Sequence, residues 1–267
     1  MRKDYIATEE STEHETEFVE RYWTAVWQQG GGAQGQIDRI PRKDEYHIMA
    51  PYMAKLPRGA RVLDGGCGLG DWTLAFAREG YSVVGIDLSR RTVEQLQARF
   101  PEANFVDGDI RHTDFSDSSF DAYFSWGVFE HFESGMQDCV REAFRVLKPG
   151  GMLFVSVPLD NLRHAVLGNF ARPRSVEGRQ RFYQYRLTRA ELARELAIGG
   201  FDVLEVSPIH KRQGVLRSLH HELGLPYDWL LTKGLSAFIA PLLPGSLIAH
   251  MVLAVALKPE GGAAHGG

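Results

Sequence analysis

The sequence predicts an α/β fold, a doubly wound and mostly parallel sheet with helices packed on it. Three observations carry that reading. Short apolar runs alternate with helix-length runs between residues 61 and 157. The connections between them are short, as expected where helices cross from one parallel strand to the next. The first strand–helix junction, Val62-Leu63-Asp64-Gly65-Gly66-Cys67-Gly68-Leu69-Gly70, is rich in glycine. Such a turn lets the backbone bend tightly and lets a ligand approach it.

The elements follow in order. Residues 1–17 are polar and acidic and are expected to be frayed or weakly helical. Phe18 to Trp27 reads as a helix, with Phe18, Tyr22 and Val26 on one stripe and Trp23 and Trp27 beside it. Gly30-Gly31-Gly32 ends it. After a linker containing Pro41, a second helix covers about 43–55 and stops before Pro57, so residues 1–57 form a helical N-terminal cap. The main domain, 58–260, opens with strands at Arg61–Leu63, Ser82–Ile86 and Asn104–Val106, separated by helices over 71–79 and 90–99. A fourth strand at Ala122–Ser125, a helix over 136–147 and a fifth strand at Met152–Val157 come next. Insertions follow at 158–187 and 208–247. Between them lie a helix at Arg189–Ile198, closed by Gly199-Gly200, and a sixth strand at Asp202–Ser207. A seventh strand covers Ala249–Leu257, and the tail 261–267 is expected to be disordered.

Bulk properties narrow the function. The 267 residues suffice for one large α/β domain with insertions. A net charge of −4 argues against general affinity for nucleic acid. Cys67 and Cys139 give neither a disulfide framework nor metal-ligand spacing, and this usage fits a reducing compartment. Cys67 reads as a small filler of the turn. With an N-terminus of Met-Arg-Lys-Asp and no visible signal peptide, a cytoplasmic location is expected. Leu235–Leu257 carries no Asp, Glu, Lys or Arg, yet Pro241, Pro244, Gly245 and His250 interrupt it. It reads as packed segments ending in a buried strand, with peripheral contact at a membrane surface left open.

The chemistry of the glycine turn points away from a dinucleotide. Gly66-x-Gly68-x-Gly70 lacks the G-x-G-x-x-G spacing that seats a pyrophosphate. Asp64 at the strand tip repels phosphate but suits an ammonium or a sulfonium. Asp87, at the end of the second strand, stands where an acid bonds ribose hydroxyls in doubly wound folds. Gly108-Asp109-Ile110 follows the third strand and suits an adenine edge, with Asp107 a near competitor. Acids at three successive strand ends fit S-adenosylmethionine, which is cationic and free of phosphate.

The stretch from Arg61 to Pro158 resembles the class I S-adenosylmethionine-dependent methyltransferases of the small-molecule subgroup. The residues that carry the resemblance are Val62–Gly70, Gly85-Ile86-Asp87-Leu88-Ser89, Asp107-Gly108-Asp109-Ile110, Phe120–Ser125 through Phe129-Glu130-His131-Phe132, and Glu142–Gly151. The resemblance implies a seven-stranded sheet of order 3-2-1-4-5-7-6 with the last strand antiparallel. It implies S-adenosyl-L-methionine as cofactor and S-adenosyl-L-homocysteine as product. Asp64, Gly65, Gly66, Gly68 and Gly70 are then expected around the methionine end, Asp87 and Leu88 at the ribose, Asp109 and Ile110 at the adenine, and Ser125 and Trp126 beside the methionine moiety. His131 is the candidate general base for a hydroxyl acceptor, because it follows the fourth strand on the acceptor side. Glu130 either orients it or is an ordinary helix-start acid. Some quinone-pathway relatives carry Glu-x-x-Glu-His here and are thought to hold a divalent ion. Gly127 replaces the first acid in this chain, so no metal is expected.

The acceptor is read from the flanks. The first insertion holds Arg163, Arg172, Arg174, Arg179, Arg181 and Arg186 with His164, Tyr183 and Tyr185. An Arg- and Tyr-rich lid suits an anionic acceptor. Tyr22 and Trp23 of the N-terminal helix are expected to close the pocket from the other side. The apolar second insertion suits a packing face, a homodimer surface or a lipid-linked acceptor at a membrane. O-methylation of a small molecule is the leading reading. N-methylation of a small amine, or a non-catalytic cofactor-binding partner protein, stays open beside it.

Overall fold

The computed structural model describes residues 1–8, 14–29, 37–161 and 179–261. Its strands are β1 (Arg2–Thr8), β2 (Arg61–Gly65), β3 (Ser82–Asp87), β4 (Asn104–Asp107), β5 (Phe120–Trp126), β6 (Leu147–Pro158), β7 (Arg179–Arg186), β8 (Asp202–Ile209) and β9 (Met251–Leu257). The helices are α1 (Glu15–Gln29), α2 (Asp44–Met53), α3 (Asp71–Arg78), α4 (Arg90–Arg99), α5 (Gln137–Val146), α6 (Arg189–Ile198), α7 (Lys211–Leu223), α8 (Leu230–Ile239) and the single turn α9 (Gly245–Ile248).

Seven strands form the main sheet in the order β4-β3-β2-β5-β6-β9-β8. Numbered along the main domain, this is the expected 3-2-1-4-5-7-6. The pairs β2–β3, β2–β5, β3–β4 and β5–β6 are parallel, and β9 runs antiparallel between β6 and β8. Side chains alternate across the sheet with a period of two, and both faces are buried. On β2, Val62 faces a core built with Met49, Trp72 and Phe76, and Leu63 faces the opposite core with Phe129, Val140 and Leu192. On β6, Leu153 and Val155 share the second core while Phe154 joins the first.

Local chemistry sets the helix ends. Ser89 caps α4, its hydroxyl accepting from the Thr92 amide. Thr188 and Glu191 form a capping box at the start of α6, which satisfies two otherwise unpaired amides. The run Leu235–Leu257 is broken, as its prolines require, into the end of α8, a short 3-10 turn at Ala240–Leu242, α9 and β9. Among the described residues no helix is long and apolar enough to cross a membrane.

One expectation for the N-terminus is corrected. Residues 2–8 are neither frayed nor helical. They form β1, which pairs antiparallel with β7 from the first insertion in a separate two-stranded sheet. The partner strand lies about 180 residues away in sequence, so no local pattern announces the pairing. Phe182 and Tyr185 of β7 are buried, Tyr5 packs edge-on against Phe182, and Asp4 receives both Gln184 and Arg186. This small sheet sits against the 3-10 turn Phe129–His131 that follows β5.

Gly214 marks a tight helix crossing. A Cβ there would lie 1.7 Å from the Ile248 carbonyl oxygen. Ala in place of Gly normally favours a helix by about 1 kcal/mol, whereas forced overpacking costs about 1–3 kcal/mol. The obstacle is backbone, so the second effect wins. Gly214→Ala is expected to lower the melting temperature, and an unchanged or higher value would contradict this packing.

Candidate active site

In the order β4-β3-β2-β5-β6, the chain reverses direction across the sheet between β2 and β5. A crevice opens beyond the carboxyl ends of the strands at such a point. Here it holds a cavity of about 300 Å³. Its floor is the turn after β2. Gly66 and Gly68 adopt φ of +78° and +51°, a region that disfavours side chains. A Cβ on Gly66 would stand 2.5 Å from Val128, and one on Gly68 2.8 Å from the Trp27 ring. The amides of Gly66 and Cys67 donate to the Ile86 carbonyl and hold the turn against β3.

Two buried carboxylates organise the floor. Asp87 accepts from the amide of Gly68 at 2.8 Å and from that of Ser89 at 2.9 Å, so it ties together the turns after β2 and β3. Asp64 accepts from the Thr73 hydroxyl at 2.7 Å. Burial pushes the Asp64 carboxyl up to about 7, the Asp87 charge adds to that, and the Thr73 hydrogen bond opposes it. Burial also raises Asp87, against its two amide bonds. At the far wall Asp109 lines the cavity, while Asp107 stays in the β4 ladder beside Asp87. Arg111 grips both oxygens of Asp109 and reaches across to Glu15 and Thr16 of α1.

The cavity is acidic and roofed with aromatic rings. Glu20, Asp64, Asp71, Asp87 and Asp109 line it against one lysine, Lys43. Such a wall favours a cation and disfavours phosphate. Trp23 and Trp27 of α1 roof it, and Trp72 and Trp126 form one side. The indole N–H groups of Trp27 and Trp126 are buried without a protein hydrogen-bond partner. Unpaired buried donors are costly, and a ligand carrying acceptor atoms would satisfy them. A glycine cradle, buried acids and two unpaired donors fit a cationic adenosine compound.

His131 stands on the cavity wall beyond Gly127 and Val128. Its Nδ1 lies 2.8 Å from the Tyr183 carbonyl oxygen. A carbonyl only accepts, so Nδ1 carries the proton and Nε2 keeps its lone pair in the neutral ring. The rings of Trp23 and Tyr183 pack at 5.0 and 5.1 Å from the imidazole. Burial pushes His131 down to about 4, partly offset by the Tyr183 and Gly127 carbonyls. Glu130 is buried behind it, with Oε1 3.9 Å from His131 Nε2, and burial raises its carboxyl to about 8.

The expected site residues separate by location. Asp64, Gly66, Gly68, Asp87, Leu88, Asp109, Ile110, Trp126, Trp23 and His131 line the one cavity. Gly65, Gly70 and Ser125 support it from behind. Ser125 donates to the Gly65 carbonyl at 2.7 Å, Gly65 abuts the Tyr123 ring, and Gly70 packs on Phe105. Tyr22, Arg181 and Tyr183 line a small adjoining pocket that shares Trp23 and His131 with the main one. The Arg181 guanidinium lies over the Phe18 ring at 4.2 Å. Tyr185 is turned away and donates to the Glu133 carbonyl. Arg163, His164, Arg172 and Arg174 lie outside the described residues, as does the side chain of Arg179.

Sequence reasoning passed over Trp72, Lys43, Phe132 and Arg111. Trp72 had a local signal, since it stands in the first turn of the helix after the glycine turn. Lys43 and Arg111 had none, because their places depend on how α2 and α1 dock.

Fold and site together give a doubly wound domain whose acidic cavity suits a cation better than a phosphate. Comparison with known proteins agrees. Residues 62–151 match the family model described as a methyltransferase domain. A protein of Mycolicibacterium smegmatis named "Probable S-adenosylmethionine-dependent methyltransferase" is 32% identical over 59% of this chain and 58% of its own length. The malonyl-[acyl-carrier protein] O-methyltransferase of Enterobacter lignolyticus is 34% identical over 41% of this chain and 45% of its own. The chain thus spans about half the length of the curated relatives it matches. The 1,6-didemethyltoxoflavin-N1-methyltransferase of Burkholderia thailandensis, solved with bound S-adenosylhomocysteine, superposes with a TM-score of 0.60. The match covers 97% of this chain and 96% of that one at 18% identity, a likeness of fold. Over residues 62–151 the chain is thus similar to S-adenosylmethionine-dependent methyltransferases, and its whole fold is like that of a solved one.

The raised carboxyl of Asp64 has a thermodynamic consequence. An unfolded Asp titrates near ~3.9, whereas the folded group titrates at about 7. Between those values the folded state holds the extra proton, so this group's contribution to stability falls as pH rises. Asp64→Asn removes that loss. The variant's melting temperature, relative to the natural protein without ligand, is expected to climb as pH goes from about 5 to about 8. A difference independent of pH would contradict the assignment.

Proposed function

We propose that the chain transfers a methyl group from S-adenosylmethionine to an oxygen of a small-molecule acceptor, with His131 as general base. The observation that carries this reading is the acidic, aromatic-roofed cavity at the switch point of the sheet, with the imidazole of His131 on its wall. When bound, S-adenosylmethionine supplies an electrophilic methyl group on a sulfonium. Asp64 and the glycine turn would hold its methionine end, Asp87 its ribose and Asp109 with Ile110 its adenine. The unpaired indoles of Trp27 and Trp126 would meet its acceptor atoms.

The chain's own residues then have definite tasks. Neutral His131 accepts the acceptor's hydroxyl proton on Nε2, because Nδ1 is committed to Tyr183. Its low pKa makes it a hydrogen-bond acceptor that orients the hydroxyl and takes the proton only as the oxygen loses its electron pair. Trp23, Trp27 and Phe132 keep bulk water out, and holding the two reactants together lowers the barrier by up to ~7–11 kcal/mol. Two relatives support a small acceptor, a sterol 24-C-methyltransferase of Yarrowia lipolytica and a 2-methyl-6-phytyl-1,4-hydroquinone methyltransferase of Synechocystis, while the malonyl-[acyl-carrier protein] O-methyltransferase takes a small acyl group on a carrier protein.

A second reading, N-methylation of a small amine, is favoured by one observation. Burial pushes His131 down to about 4, which makes it a weak base, and a free amine needs none. Acceptor screening with labelled methyl donor identifies the substrate, and His131→Ala then separates the readings. For a hydroxyl acceptor kcat is expected to fall by ~10²–10⁴ while S-adenosylhomocysteine affinity holds. A fall of less than about tenfold in kcat (~1.4 kcal/mol) would favour the amine. Absence of turnover with every acceptor class would favour the non-catalytic partner.

Calorimetry with S-adenosylhomocysteine and with NADH tests the cofactor directly. Heat of binding is expected for the first and none for the second, and the opposite result would overturn the reading of the acidic floor. Activity is also expected to persist in EDTA, since Gly127 stands where metal-dependent relatives carry an acid. Loss of turnover restored by magnesium or zinc would contradict that.

A further inference from the structure

We propose that α8 and the turn after it form a docking surface for an anionic lipid surface. The primary observation is a helix apolar on both faces: Leu235 and Ile239 pack inward against α7, and the outer face is apolar as well. Thr232 and Ser236 are fully buried, while Leu230, Phe238 and Leu242 are 84%, 72% and 69% exposed. Every residue on the outer face at 230, 231, 234, 237, 238, 241 and 242 is exposed, and every one is apolar or glycine. A helix in water buries its apolar stripe and exposes its polar one. Here the hydroxyl of Thr232 is buried with no hydrogen-bond partner while leucines face outward. Large contiguous apolar faces of this kind mark interaction sites.

Length and charge decide the occupant. The apolar face runs from Leu230 to Leu242, about 18 Å at ~1.5 Å per residue. That is too short to span a bilayer, which needs about 20 residues, and suits a helix lying in the interface. Trp229, half exposed, stands at the start of the helix, where an amphipathic ring favours the headgroup level. The chain is acidic overall, yet residues 211–242 carry Lys211, Arg212, Arg217 and Lys233 against Glu222 and Asp228. Lys233 pairs with Asp228, and the exposed Arg212 donates to the Lys233 carbonyl at the side of α8. Cations beside an apolar face complement anionic headgroups. They repel each other across a two-fold axis, which disfavours a second copy of this chain on the same face. α7, against which α8 packs, also brings Arg217 within electrostatic reach of Tyr183 beside His131. The proposal stands apart from the methyl-transfer reading.

The test is flotation of the full chain with vesicles of phosphatidylcholine alone or mixed with phosphatidylglycerol. Binding is expected to the mixed vesicles, weakened at about 0.5 M salt, and at most weak to the neutral ones. The double variant Leu230→Asp/Phe238→Asp is expected to lose at least tenfold in partitioning. It should keep the melting temperature and S-adenosylhomocysteine binding, because both side chains already face outward. Arg212→Glu, which leaves the apolar face intact, is expected to weaken binding to the mixed vesicles selectively. No binding to the mixed vesicles would overturn the proposal, as would equal binding to both kinds. So would a concentration-dependent dimer that the double variant dissolves, since the occupant would then be a second copy.

Discussion

The carboxylate of Asp87 is the interaction on which the site depends. It joins the amide of Gly68 in the first turn to the amide of Ser89 in the second. Two loops that are separate in sequence become one rigid floor. The arrangement carries a cost, because the group is buried and its ionised form is disfavoured. Two amide bonds offset part of that cost. A positively charged ligand above the floor offsets more, for Asp87 and for Asp64 alike. The same burial that disfavours the ionised acids therefore favours a cation beside them.

Helix α1 completes the cavity from outside the main sheet, and three contacts hold it there. Arg111 bridges Asp109 to Glu15 and Thr16, Glu15 also accepts from the amide of Glu133, and Thr24 shares a hydrogen bond with Ser89. Each contact ends on a residue next to the floor or walls. Trp27 then covers Gly68 and Trp23 packs against His131. The roof and the acceptor end are one structure, so the closure of the cavity and the environment of His131 are set by the same helix. The small sheet of β1 and β7 extends that structure, since the Tyr183 carbonyl on β7 selects the tautomer of His131.

The surface of α8 obeys a different constraint. On the main sheet, alternating apolar side chains fill two cores. On α8 the outer face is as apolar as the inner one, and an unpaired hydroxyl lies inside. A helix that departs so far from its neighbours is shaped by something beyond its own core.

The main sheet was legible from residue 61 onward because its central strands are short apolar runs bounded by turn residues, and Ser89 and Thr188 cap two of its helices. The acids at three strand ends were legible for the same reason, since their positions follow from strand length alone. The N-terminal strand was not, because its partner β7 lies far along the chain and seven polar-rich residues carry no period of their own. Nor were Lys43, Arg111 and the turning away of Tyr185, which depend on how packed elements meet. The sequence by itself determined the strands and the acidic floor, because those rest on local pattern and on the rule that ligands sit beyond strand ends, while the strand order came from the resemblance of its motifs to a known family. Only the tertiary structure decided how the aromatic helix α1, which the sequence had offered as a cover, docks as the roof, which nitrogen of His131 carries the proton, and the exposure of the apolar face of α8. Each of these arises where distant segments touch, and burial, which sets their energetics, exists only after they do.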